Sequence, residues 1–225
     1  MKWTEIKKLS EGRKKKLASH TYIRKDLDAV IIRFHDTNIL KFDSNGVVLD
    51  SGGWQTKTTM KRMNAFLSGS GMIVGSESLI WYVTDRKDRW VFKDGMRIRY
   101  NGWPARGAKK TVDQAVSESK KMQKKVVKYA EQFVASIDVH DLPSPSLGDC
   151  FYCQFQTTDG KTIGDIVNGE HLESHMKENY FVPSLLWNAL KEDKLHVVQN
   201  SSCKKAIIKY MMKRLSRQIQ EGMSA

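Results

Sequence analysis

The chain has 225 residues, with 38 lysines and arginines against 25 aspartates and glutamates and a formal net charge of +13. Its 40% apolar content suffices for one or two packed cores and excludes a disordered polyelectrolyte. No secretory leader and no run of about 18 apolar residues is present, so a reducing cytosolic setting is expected for its three cysteines.

Residues 1–27 carry Trp3, Ile6 and Leu9 at helical spacing and otherwise read as a basic N-terminal arm. Residues 28–110 read as an antiparallel β domain. Ala29–Phe34 is an apolar run, Asn38–Phe42 alternates before an Asn45-Gly46 turn, and Val47–Leu49 leads to Gly52-Gly53-Trp54. Gly71–Val74 and Leu79–Thr84 add two β-rich runs. Asp94-Gly95 has the chemistry of a primed two-residue turn and is expected to join Trp90–Phe92 to Met96–Tyr100 as a hairpin. Within this domain Met60, Met63, Phe66 and Leu67 stand at helical spacing, which predicts one inserted helix over Thr58–Leu67.

Residues 111–140 read as a long amphipathic helix. Thr111-Val112-Asp113-Gln114 fits a capping box, and Val112, Ala115, Val116, Met122, Val126, Ala130, Phe133 and Ile137 form its stripe. Lys120, Lys121, Lys124, Lys125 and Lys128 occupy the other face. The helix ends before Asp141-Leu142-Pro143-Ser144-Pro145-Ser146, the proline-rich stretch that reads as a domain boundary.

Residues 146–192 carry the strongest motif. Cys150-x2-Cys153 is followed, seventeen residues on, by His171-x3-His175, a spacing that suits one tetrahedral Zn²⁺. Two histidines four apart lie on one face of a helix. The long gap accommodates a short hairpin, with Phe155–Thr157 and Lys161–Ile163 around Asp159-Gly160. Four protein ligands leave no open coordination position, so the expected role is structural. The histidine helix carries Glu170, Glu173 and Glu178 against Lys177, which argues against its lying on phosphate. The run Tyr180–Trp187 is expected to cover the module's core.

Charge is concentrated at the two ends. Residues 1–25 hold nine basic residues against two acids, residues 194–225 hold seven against one, and residues 26–193 balance at 22 of each. Residues 193–225 read as a basic C-terminal helix with Ile207, Met211, Leu215 and Ile219 on one stripe. A basic segment at each end suits a polyanion, nucleic acid first, with DNA placed ahead of RNA. Lys14, Lys15, Lys16, Lys205, Lys209, Lys213 and Arg217 are the expected phosphate contacts. A membrane helix would want bulky apolar anchors opposite its lysines, and the C-terminal helix lacks them. Trp54, Trp81, Tyr82, Trp90, Tyr100 and Trp103 interleave with arginines, which suits base stacking, although core packing is the stronger expectation for aromatics in a small β domain.

The segment from Phe34-His35-Asp36-Thr37-Asn38-Ile39 to Gly52-Gly53-Trp54-Gln55-Thr56-Lys57-Thr58-Thr59-Met60-Lys61-Arg62-Met63-Asn64 resembles a family of uncharacterised bacteriophage proteins with a GGW-x-T-x-TT-x-x-R-x-N segment. Gly148–Cys153, His171–His175 and Tyr180–Leu186 resemble its downstream Cys–His portion. The resemblance spans roughly residues 30–190, leaves both basic ends outside, and implies phage origin and a host-cytoplasmic setting.

No phosphate-binding glycine loop, hydrolase elbow or dinucleotide fingerprint occurs. His35 and Asp36 are neighbours on a strand end and point to opposite faces, so they do not make a catalytic pair. A His-Asn-His nuclease drawn from His171, His175 and Asn179 would take both histidines from the metal. The lone Cys203 reads as a small buried residue. The expectation is therefore an α+β protein with an antiparallel β domain and inserted helix, a long helix, and a zinc-stapled, mainly helical module. It is expected to be a non-enzymatic nucleic-acid-binding protein. The alternative is a protein-interaction module, either a host-enzyme inhibitor or a small virion component docking an acidic host protein.

Overall fold

The computed structural model describes residues 3–10, 15–85, 87–100, 112–145, 149–154, 169–193 and 199–222. The fold is α+β, with nine strands and two α-helices among the described residues up to Ile98 and only helices after them, and the chain divides into two compact units between Ala115 and Val116.

The first unit opens with α1 (Trp3–Leu9), whose Ile6 is fully buried. Five strands then follow as a meander: β1 (Lys15–Ala18), β2 (Thr21–Asp26), β3 (Ala29–Phe34), β4 (Thr37–Asp43) and β5 (Gly46–Leu49). After α2 (Lys57–Leu67), β6 (Ile73–Glu77), β7 (Ile80–Thr84) and β8 (Arg89–Val91) form a separate three-stranded sheet. Strand β9 (Met96–Ile98) returns to the first sheet and pairs with β5, giving the order β1-β2-β3-β4-β5-β9. Strand β3 sits inside the sheet and is apolar on both faces from Ala29 to Ile32, all buried. Its neighbours alternate instead, so Leu40 and Phe42 join Val47, Leu49, Met63, Trp81, Phe92 and Ile98 in one core.

Three expectations are corrected here. Residues 15–26 are not an arm. Lys15 and Lys16 pair with Ile23 and Tyr22 in an edge strand, and a lysine-bearing edge protects the sheet against pairing with another chain. The two-residue loop after β4 is Ser44-Asn45, one residue earlier than expected, since Asp43 pairs with Gly46. Gly46 has φ +150° and a side chain there would meet the Ile98 carbonyl, so the approach of β9 requires glycine. Asp94-Gly95 does not close a hairpin. Strand β8 pairs with β7 and β9 with β5, so the turn carries the chain from one sheet to the other. Its chemistry is used at long range: the Asp94 carboxylate accepts from the Ser51 amide, the Ser51 hydroxyl (3.0 Å) and the Gly53 amide (3.1 Å).

The longer helices that follow are α3 (Val112–Ala135), which enters the second unit from Val116 on, α4 (Gly169–Glu178), α5 (Pro183–Asp193) and α6 (Asn200–Gly222). The expected stripe of α3 is buried at Val126, Ala130 and Phe133. It shares a core with Leu172, Val182, Leu185, Leu186, Ile207, Met211 and Leu215, so the long helix and the terminal helix belong to the same packed unit. The units therefore do not divide in the proline stretch at 141–146. Cys203 is buried in this core. Thr111 of the expected capping box and the expected hairpin between Phe155 and Ile163 lie outside the described residues.

Candidate metal centre

Local geometry assembles the four-residue cluster from two helical pieces. Residues 151–154 form one helical turn, and the Gln154 amide donates to the Cys150 carbonyl at 2.8 Å, which turns Cys150 and Cys153 to one side. The histidines are four apart on α4. That helix stops at Asn179, whose φ of 50° and the Tyr180 amide bond to the His175 carbonyl (2.9 Å) form a Schellman-type end.

The ligating atoms of Cys150, Cys153, His171 and His175 all lie within 4.8 Å of one another. His171 Nε2 is 3.3 Å from Cys150 Sγ and 3.4 Å from Cys153 Sγ. His175 Nε2 is 3.7 Å from Cys153 Sγ and 3.0 Å from His171 Nε2. A tetrahedral thiolate–imidazole centre has bonds of about 2.3 Å to sulfur and about 2.0–2.1 Å to nitrogen, so its S···N and N···N edges are about 3.6 Å and about 3.3 Å. These four edges match that tetrahedron to within a few tenths of an ångström, and with all four atoms inside 4.8 Å the cluster is compatible with a metal site.

The electrostatics point the same way. Burial, and then the neighbouring His171, hold His175 down at about 4, against a weaker opposing pull from Asp149, so its ring is neutral and able to donate a lone pair. Burial likewise lowers His171. Burial pushes the Cys153 thiol up, and Cys150 and Asp149 add to it, outweighing Arg214. A buried thiol of this kind ionises only against a cation held beside it.

A second layer holds the ligands in place, and sequence reading missed most of it. The Asp149 carboxylate accepts from the Cys150 amide (2.7 Å) and from the amide and hydroxyl of Ser184. Asn188 on α5 donates its side-chain amide to the Cys153 carbonyl at 2.9 Å. Tyr129 of α3 donates to the Tyr180 carbonyl at 2.6 Å, and the Trp187 indole donates to Pro143. As expected, Val182, Leu185 and Leu186 are fully buried, whereas Tyr180 stays exposed. His175 Nδ1 is buried and has no hydrogen-bond partner among the described residues.

The other residues singled out in the sequence are scattered. Asp36 pairs with Arg33 at 2.9 Å, and His35 stacks on His20 at 4.4 Å. Asn179 is the exposed cap of α4. Lys14 lies outside the described residues. Lys15 and Lys16 are exposed on the edge strand, and Lys205, Lys209 and Lys213 are exposed one turn apart on α6. Arg217 is half-buried, and its neighbour Arg214 lies 3.6 Å over the Tyr210 ring. Among the aromatics, Trp81 and Trp90 are core residues, and Arg97 is held by Asp43 at 2.7 Å, so that strand face is not a spare basic surface. Trp54 alone of the described tryptophans is largely exposed, at 65%. No described helix is long and apolar enough to cross a membrane.

No curated protein and no solved structure matches the chain. The family match lies in the β unit. It starts before the first basic cluster, takes in the Gly-Gly-Trp segment, and stops short of the Cys–His portion, so its span differs from the one expected at both ends. Residues 4–99, less than half of the chain, match the family model described as Kyanoviridae Gp96 protein, and that match supports a phage origin.

Proposed function

We propose that this chain is a phage-encoded, non-enzymatic protein that binds nucleic acid mainly through the phosphate backbone, DNA ahead of RNA, in the host cytoplasm. In this reading Zn²⁺ on Cys150, Cys153, His171 and His175 is a structural staple. The two-sulfur, two-nitrogen donor set favours zinc over hard cations, and four protein ligands leave no position for water or substrate.

The observation that carries the reading is a set of unpaired lysines. Lys121, Lys124, Lys125 and Lys128 are exposed on α3 at spacings of three and four, and none makes an ion pair with a described residue. Like charges at these spacings repel by a few tenths of a kcal/mol each, so an anion lying along them is favoured. Lys125 and Lys128 also line a cleft of about 370 Å³ together with Lys177 of α4 and its cap Asn179, where one carboxylate, Glu173, stands against three lysines. The exposed lysines of α6 and of the β1 edge add further phosphate contacts.

The second reading is a protein-interaction module that docks an acidic host protein, and one observation favours it. Phe151 (68% exposed) and Tyr152 (52%) stand out from the cysteine turn, with Tyr152 packed edge-on to His171 at 5.3 Å. Exposed aromatics are enriched in binding surfaces.

Fluorescence anisotropy with random duplex DNA, titrated with salt, tests the first reading. The expected result is a slope of log K against log salt of roughly −4.5 or steeper, at about −0.9 per phosphate contact. Absence of binding at low salt sinks it. A host-protein complex recovered intact after nuclease treatment would favour the second.

A further inference from the structure

The Gly-Gly-Trp segment is not absorbed by the phosphate reading, and it folds into one wall of a cleft of about 460 Å³ in the β unit. That volume is in the range of small-ligand sites. Three aromatic rings line the cleft: Phe34 and His35 from the end of β3, and Trp54 from the facing turn. The rest of the lining is mostly hydroxyls, among them Thr37, Thr56 and Thr58.

The indole is held out by design of the backbone. The Trp54 amide donates to the Ser51 carbonyl at 2.9 Å, and the Trp54 carbonyl accepts from Thr56 at 2.8 Å, so the residue sits between two hydrogen-bonded turns. Asp94 fixes the same turn through Ser51 and Gly53. Gly52 has φ +58°, and a side chain there would meet Thr37 at 2.8 Å, so glycine lets the two walls approach. The His35 part of the lining is also set by unusual backbone, with His35 at φ 51° and its ring stacked on His20 at 4.4 Å. A large apolar ring kept 65% exposed on a pinned turn has given up burial without gaining mobility.

We propose that this cleft binds a nucleobase, stacked on Trp54, with its polar edge served by the hydroxyls. A lining that holds three aromatic rings fits a flat ring better than a puckered one. The hydroxyls of Thr37 and Thr58 make no hydrogen bond to a described residue, and a hydroxyl both donates and accepts, so different base edges are tolerated. The one carboxylate in the lining, Asp36, is at the rim and paired with Arg33, leaving an uncharged floor suited to a neutral heterocycle. The base is either that of a free nucleoside or one within a single strand. The inference rests on the cleft and not on the lysines of the second unit.

The test uses the full chain, its Trp54→Ala and Trp54→Phe variants, and three probes: the uncharged nucleosides adenosine and thymidine, a 15-nucleotide single strand, and a duplex of equal length. The Trp54 indole N–H resonance, assigned from the Phe variant, is followed by NMR, and single-strand affinity by anisotropy. The expected result is a shift of that resonance with the single strand, and an affinity about tenfold lower in Trp54→Ala but largely kept in Trp54→Phe. A shift with nucleosides as well identifies the free base as sufficient; a shift with the strand alone places the base in a strand. If neither the nucleosides nor the strand moves the resonance, or if the strand alone moves it and Trp54→Ala binds the strand as well as the parent does, the inference is overturned. Duplex binding that persists in that case leaves the phosphate reading standing. Loss of duplex binding with the nucleoside shift intact removes only the phosphate reading.

Discussion

Asp149 and Ser184, 35 residues apart, are joined by two hydrogen bonds to one carboxylate oxygen, from the Ser184 amide at 2.8 Å and its hydroxyl at 2.6 Å. Helix α5 begins at Pro183, and the residue before it, Val182, has no side-chain acceptor for the open amides of the first turn. Asp149 supplies one from another part of the chain, and its charge suits the positive end of the helix. Its second oxygen accepts from the Cys150 amide at 2.7 Å, so the cap of α5 and the cysteine turn are one construction.

Asp149→Ala is therefore expected to act on both. Loss of a cap costs about 0.5–2 kcal/mol, seen as a lower melting temperature of the helical unit. Loss of a second-layer partner lowers metal affinity by about 10–100-fold in a competitive chelator titration. A variant with normal affinity and a normal melting curve would show that the contact contributes nothing.

Cys153 is fully buried in the core that α3, α5 and α6 share. Cys153→Ser, or a strong chelator, is expected to lower metal content and to lower the melting temperature of the unit from Val116 to Gly222, while the β unit keeps its own cooperative transition. Calorimetry with metal analysis checks this. A single transition lost as a whole would contradict two separately cored units.

The pH dependence follows from His175, which is lowered to about 4 from its usual 6.5. Between those values the unfolded chain binds a proton that the folded one does not, so folded-state stability falls as pH drops through that window and is fully present above it. The contribution is about 2–4 kcal/mol at neutral pH in the metal-free protein. Metal release in the same window adds to the loss, because protons compete for the imidazole lone pair. Urea unfolding of the chelated protein between pH 7 and pH 4 measures it, and His175→Phe should flatten the dependence.

For the lysines, Lys125→Gln with Lys128→Gln is expected to reduce the magnitude of the salt slope on duplex DNA by about 1.8, at about 0.9 per lost contact. Lys205→Gln with Lys209→Gln, on α6, is the comparison that tells whether the terminal helix contributes equally. An unchanged slope in both pairs would send the search for the interface elsewhere.

The residues legible in the sequence were those whose meaning is local. Cys150 with Cys153, and His171 with His175, announce themselves because spacings of three and four put side chains on one face of a helical turn wherever that turn sits. Stripes such as Val126, Ala130 and Phe133, and the apolar run of β3, work the same way. Asp94-Gly95 was misleading for the opposite reason: its turn chemistry is real, but the carboxylate serves amides more than 40 residues away. Lys15 and Lys16 looked like an arm because a short edge strand has too few residues for its alternation to stand out against the charge.

Periodicity and ligand spacing thus determined the α+β class, the position of the inserted helix and the four members of the Cys–His cluster, since each depends on contacts within a few residues. Long-range pairing decided the rest: that β9 returns to β5, that Asp149 caps α5, that the long helix belongs to the helical core, and that Trp54 is left standing over a cleft while Trp81 and Trp90 are buried. Short-range pattern carries no information about which distant backbone will need a carboxylate, or which of several tryptophans the core has no room to cover, because both are set by how the elements pack.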